Sequence, residues 1–327
     1  MTKPFLRIIV GSTASGKERL ALECAALMDA EIISVDSMKV YRGLDVATAK
    51  AGREERERVR HHCLDLIEPT ETFSASDFVA AASAAIDDIV SRGKIPILSG
   101  GTAFYYKALL EGLFEGPGAD PELRAGLEAR AEREGSGSLH HELTEKDPDA
   151  AAKIHPSDLR RIVRALEVAA LTGQGISSRQ TQWAGFHAAD AEERTAGFFA
   201  RPLYPFAMVR IVRDRADVHE RIRSRIIRMA ASGLREEAET VFLRRAEISR
   251  TPLQAVGYKE FFPHFSGEET WDGALEKLRL ATNRLVRSQD TWFRKFPARE
   301  IRLSPESRVG DVAAELAATV FSWAGKS

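Results

Sequence analysis

The chain has 327 residues, 44% of them hydrophobic and 29% charged, with a formal net charge of −1. This is the balance of a folded globular protein, long enough for two domains or for one domain with a large insertion, and it excludes a disordered or uniformly basic chain. No apolar run approaches the roughly 18 residues of a membrane-spanning helix. The two cysteines, Cys24 and Cys63, have neither disulfide-framework nor zinc-ligand spacing. The N-terminus MTKPFLRIIVG leads straight into a glycine loop with no room for a signal peptide. A cytoplasmic protein with reduced, structural thiols and no membrane attachment is expected.

The first hundred residues alternate strand and helix. FLRIIV (5 to 10) is an apolar run rich in β-branched residues, and KERLALECAALM (17 to 28) places apolar residues at helical spacing. Between them, GSTASGKE matches the phosphate-binding pattern G-x-x-x-x-G-K-[ST] at Gly11, Gly16 and Lys17. In that pattern backbone N–H groups and the lysine hold phosphate while the final hydroxyl holds Mg²⁺; here Glu18 stands in its place. AEIISVDS (30 to 37) and KIPILSGGT (94 to 102) read as buried strands that end in polar residues or glycines. SASDFVAAASAAIDDIVSRG (74 to 93) reads as a helix opened by Ser74 or Ser76 and closed by Gly93. Such alternation predicts an α/β fold, a P-loop NTPase-like parallel sheet whose ligands sit beyond the carboxyl ends of its strands. The glycine loop, Asp36-Ser37 and Gly100-Gly101-Thr102 all fall at such ends.

From GPGAD (116 to 120) onward the periodicity is helical, interrupted at REGSGS, HPSD and TGQG. YPFAMVRIVRD (204 to 214) reads as one more strand, followed by long helices. The expected organisation is a core of residues 1–117 and 199–327 with a helical C-terminal part, and a helical insertion domain at 118–198. Arginines crowd DLRRIVRALE, VRDRADVHERIRSRIIRM and TNRLVRSQDTWFRKF. Any one of these is more simply a solvated helix face, but three in one half of the chain favour a basic groove able to track a phosphate backbone.

DSMKVYRGLDVATAK (36 to 50), taken with GSTASGK, HHCLDLIEPTETFSASDF, IPILSGGTAFYYKALLEGL, RIVRALEV, QAVGYKE and TNRLVRSQDTWFRKF in that order, resembles the tRNA dimethylallyltransferases, or tRNA isopentenyltransferases, over nearly the whole chain. The resemblance implies transfer of a dimethylallyl group from its diphosphate to N6 of the adenosine 3′ of the anticodon, with Mg²⁺. It implies diphosphate binding by Gly11, Thr13, Ala14, Ser15, Gly16, Lys17 and Glu18, and catalysis by Asp36 as general base with Thr102, Arg225 and Lys17. Thr102 can equally cap the helix that follows it. Contacts to the tRNA anticodon stem-loop would come from Asp36, Ser37, Met38, Lys39, Thr102, Arg124, Arg160, Arg161 and Arg164, and from Gln254, Gly257 and Tyr258. A monomer suffices for this chemistry.

Departures from the family pattern stand at Glu18, Lys39 (usually glutamine), Ala47 (usually glycine) and Ser288 (usually basic). Glu18 is expected to bind Mg²⁺ directly or through water, as carboxylates do; otherwise metal binding is weakened and a neighbour takes over. The competing readings are a tRNA binder that has lost catalysis and a small-molecule P-loop kinase.

Overall fold

The computed structural model describes residues 3–113, 116–179, 199 and 202–322. By its internal contacts the chain divides into two compact units, Met1–Glu111 with Phe198–Ser327, and Gly112–Gly197. Residues 180–198 of the expected insertion lie outside the described residues.

In the first unit, six strands among the described residues form one parallel sheet. They are β1 (Leu6–Gly11), β2 (Ala30–Ser34), β3 (His61–His62), β4 (Ile95–Gly100), β5 (Phe206–Val212) and β6 (Arg299–Arg302), in the order β3-β2-β4-β1-β5-β6. The inner strands are near-continuous apolar runs because both faces of a parallel sheet are covered; Ile8, Ile9, Val10, Ile32, Ile33, Ile97 and Leu98 are all buried. The register pairs Val10 with Gly100, Gly11 with Ile211 and Ser34 with Ser99, which aligns the carboxyl ends of β1, β2, β4 and β5 along one edge.

Helix α1 (Lys17–Leu27) packs Leu20 and Cys24 into a cluster with Leu316 and Phe321 near the C-terminus. Helix α2 (Ala75–Ser91) starts at Ser74: its hydroxyl accepts the Asp77 N–H (3.2 Å), while the Asp77 carboxylate accepts the Ser74 N–H (2.8 Å). This reciprocal cap decides between the two serines offered by the sequence. Helices α3 (Ala103–Glu111), α4 (Arg215–Ala231) and α5 (Trp271–Phe293) complete the surroundings of the sheet edge. Val40, Tyr41 and Leu44 pack there with Ile222, Tyr258 and Leu278 in a second core.

Two strands escape the sequence reading. β3 has only two residues, too few for a period, and the C-terminal part is not wholly helical, because Arg299–Arg302 adds β6 beside β5. Its three charged residues are tolerable because β6 is an edge strand, half open to water.

The second unit is helical. Helix α6 (Pro121–Glu134), the helix Ser136–Lys146 and helix α7 (Leu159–Thr172) share a core of Leu127, Leu139, Leu143, Ile162 and Leu166. α7 stops at Gly173, whose φ of 68° is a left-handed cap that glycine adopts without strain.

Candidate active site at the carboxyl edge of the sheet

The loop between β1 and α1 bends through positive φ at Ala14 (66°) and Gly16 (95°). Its Ser15 N–H donates to Ser12 O (3.1 Å) and its Thr13 N–H to Gln289 Oε1 (2.8 Å). Gln289, on α5, also donates through Nε2 to Gly101 O (3.0 Å), so one amide ties the loop to the turn after β4. Two arginines near the start of the α4 region hold outward carbonyls: Arg213 Nε donates to Ser15 O (2.6 Å) and Arg221 Nε to Ala14 O (2.7 Å). In a trans peptide the C=O and the following N–H point opposite ways. Arg213 on the Ser15 carbonyl therefore turns the Gly16 N–H away from itself, toward an anion cradled by the loop.

Lys17 is 5% exposed, with Nζ 3.4 Å from Ser12 O. Burial pushes its pKa down, and the nearby carboxylates of Glu18 and Asp36 oppose that. Glu18 has a 45% exposed side chain paired with Lys39. Desolvation works against its charge, but Lys39, Lys17 and Arg225 outweigh it and hold the carboxyl well below the usual range.

At the end of β4, a Cβ on Gly100 would lie 2.0 Å from Val35 O, so only glycine lets the two chains approach this closely. Thr102 N–H donates to Val35 O (3.2 Å). The Thr102 hydroxyl accepts the Ser37 N–H (3.0 Å) and lies 3.4 Å from Ser37 Oγ, so it serves the Asp36-Ser37 turn. Asp36 Oδ1 accepts the N–H groups of Met38 (2.8 Å) and Lys39 (3.3 Å). That fixes the carboxylate and leaves Oδ2 with no hydrogen-bond partner among the described residues. Arg225 Nη2 reaches Thr48 O (3.4 Å), with its charge near Glu18 and Asp36. The loop, Asp36, Ser37, Lys39, Thr102 and Arg225 thus gather at one edge.

The other expected contact residues are spread differently. Arg124 grips the fully buried Glu167 through Nε and Nη2 (both 2.8 Å), and Arg164 Nη1 joins them at 2.5 Å. Arg160 and Arg161 are exposed on the first turn of α7. The expectation that Gly257 and Tyr258 meet tRNA is corrected by their packing. Tyr258 is fully buried with its hydroxyl donating to Glu237 (2.9 Å), and a Cβ on Gly257 would come within 2.8 Å of Ala47. Gln254 is exposed.

Sequence reasoning missed Gln289, Arg213, Arg221 and Glu237. Glu237 accepts the N–H groups of Asp45, Val46 and Ala47 (2.8, 2.8 and 2.9 Å) and so shapes the loop whose Thr48 carbonyl holds Arg225. Gln289 lies inside a recognised motif and Arg213 and Arg221 inside an arginine-rich stretch, but nothing in the sequence pointed to the individual contacts, or to Glu237 at all.

A metal ion held by the loop does not fit these residues. The hydroxyl of the pattern is replaced, Glu18 is already the counter-ion of Lys39, and Lys17 and Arg225 crowd the same carboxylate.

The chain is similar to known proteins over most of its length. A family model described as IPP transferase matches residues 39–296. The tRNA dimethylallyltransferase of Methylococcus capsulatus is 43% identical over 297 residues, covering 89% of this chain and 90% of its own. That of Anaeromyxobacter dehalogenans is 44% identical over 292 residues, with 89% and 92% covered. The crystal structure of tRNA delta(2)-isopentenylpyrophosphate transferase from Staphylococcus epidermidis superposes with a TM-score of 0.68 at 31% identity, covering 98% of this chain and all of that one. A eukaryotic dimethylallyltransferase acting on tRNA shares the fold at a TM-score of 0.76 and 22% identity, with 98% and 79% covered. This chain belongs to the IPP transferase family.

Proposed function

We propose that the protein is a tRNA dimethylallyltransferase that moves the dimethylallyl group of dimethylallyl diphosphate to N6 of the adenosine 3′ of the anticodon. The observation that carries this reading is the convergence of a phosphate loop and a fixed, half-open carboxylate, Asp36, on one sheet edge. A phosphate loop alone would suit a kinase as well.

In the proposed reaction the N6 lone pair forms a bond to C1 of the dimethylallyl group as the C1–O bond breaks. The electron pair of that bond leaves on diphosphate, and the N6 proton passes to Asp36. Lys17, Arg225 and the loop N–H groups stabilise the charge that develops on the leaving group, where preorganised donors contribute most. Thr102 and Ser37, hydrogen-bonded to each other, hold the Asp36 turn so that its open oxygen faces the acceptor. Presenting one unstacked base to a protein pocket is how single-stranded RNA loops are read. Arg160 and Arg161, exposed on α7, suit phosphate contacts along the anticodon stem-loop. The reacting groups come from one unit of one chain, so a monomer suffices. None of the described helices is long and apolar enough to cross a membrane, and we infer a cytoplasmic enzyme, where tRNA is found.

The test is incubation with labelled dimethylallyl diphosphate and two anticodon stem-loops, with adenosine or guanosine 3′ of the anticodon. Label is expected on the adenosine stem-loop alone. Stem-loop binding without transfer would replace this reading with that of a binder.

A further inference from the structure

The two departures nearest the phosphate loop, Glu18 and Lys39, meet. Lys39 Nζ donates to Glu18 Oε1, and the Lys39 side chain is 7% exposed. A lone glutamate at this position would add negative charge beside a bound diphosphate. A lone lysine would stand unpaired beside Lys17 and Arg225, whose charges both bear on the same place. Each substitution is unfavourable alone and compensated by the other. The pair places an ammonium at the end of the loop, where the pattern's hydroxyl would otherwise bring a metal ion. An ammonium is a compact charge with three donors; Glu18 uses one, and two remain for phosphate oxygens.

We propose that Lys39, anchored by Glu18, is a built-in counter-cation for diphosphate that replaces the charge neutralisation of a loop-bound Mg²⁺. This rests on the prenyl-transfer reading for the identity of the anion. The glutamate keeps the lysine at the loop when the site is empty and leaves it partly free when diphosphate arrives. Mg²⁺ is then dispensable for holding the leaving group, in contrast to a chain that carries a hydroxyl after the loop lysine.

The test is calorimetric titration of the full chain with inorganic diphosphate, in EDTA and in Mg²⁺, for the native protein, Lys39→Gln, Lys39→Arg and Glu18→Thr/Lys39→Gln. On adding Mg²⁺, the native Kd is expected to change by less than about threefold, a fraction of 1 kcal/mol. In EDTA, Lys39→Gln is expected to bind roughly tenfold to a hundredfold more weakly, the usual worth of a charged hydrogen bond, while Lys39→Arg keeps most of the affinity and controls for folding. The double variant is expected to bind weakly in EDTA and to recover in Mg²⁺. Native binding that needs Mg²⁺ by about tenfold or more, with Lys39→Gln unchanged in EDTA, would overturn the proposal. Transfer to the stem-loop at saturating Mg²⁺ separates the two readings. If transfer fails while this binding pattern holds, the reaction falls and the role of Lys39 stands; if transfer succeeds without the pattern, the reverse follows.

Discussion

Arginine is used in two opposite ways by the two units. At the phosphate loop Arg221 and Arg225 donate to main-chain carbonyls rather than to carboxylates, although carboxylates lie near both, and Arg213 divides itself between Ser15 O and Asp217. In the helical unit Arg124 and Arg164 converge on one buried carboxylate, Glu167, which also accepts the Asp120 N–H (2.7 Å). The first arrangement accumulates charge for an anion that comes and goes. The second neutralises charge and fastens the start of α6 to α7. A run of arginines in a sequence therefore says little about anion binding until the acceptors are known.

Removing the acceptor in the helical unit should have the largest effect. Glu167→Gln removes the buried charge on which two part-exposed guanidinium groups converge, and a loss of about 2 kcal/mol is expected by chemical denaturation. Acid should act in the same direction. Desolvation opposes the Glu167 charge, but the hydrogen bonds from Arg124 and Arg164 prevail and lower its pKa. In the α/β unit, Arg92 hydrogen bonds, against desolvation and aided by His62, lower Glu31 to about 2. For a carboxyl with a depressed folded pKa, the stabilisation is complete above the ordinary value and disappears as pH falls to the folded one. For Glu31 that window runs from pH 4.5 to about 2. Glu31→Gln should flatten the acid limb of a stability–pH curve there; an unchanged limb would mean that the Arg92 pairing adds nothing.

A smaller effect is expected from Arg221→Ala. Losing the donor on Ala14 O loosens the loop, so diphosphate affinity should fall by about tenfold while the melting temperature barely moves. If both fall together, Arg221 is structural, like Arg124. The smallest effects are expected at Arg160→Ala and Arg161→Ala. Each should weaken stem-loop binding a few-fold and reduce the slope of log affinity against log salt by about 0.7. Unchanged slopes would remove these arginines from the RNA surface.

The sheet and its functional edge were legible because strand, loop and helix signals are local. Buried β-branched runs, the glycine loop and a serine cap at Ser74 or Ser76 each show within a few residues, though only the structure chooses Ser74. Asp36, Thr102 and Lys17 could be placed at one edge because a parallel sheet brings the carboxyl ends of its strands together. What stayed hidden depends on partners far along the chain. Gln289 meets Thr13 and Gly101 from α5, Arg213 and Arg221 meet the loop from the α4 region, and Tyr258 is committed to the core by Glu237. Lys39 and Glu18 were each visible as departures, yet nothing in their spacing announced that one answers the other.

Single-turnover transfer by Asp36→Asn, measured beside diphosphate and stem-loop binding, decides whether this edge is a reaction centre. Asparagine keeps the oxygen that accepts the Met38 and Lys39 N–H groups and removes only the basicity. Transfer should fall by roughly a hundredfold or more, the usual contribution of a general base, while both affinities stay within about threefold. Transfer that persists within about tenfold of the native rate would contradict the role given to Asp36 and move proton removal to another group.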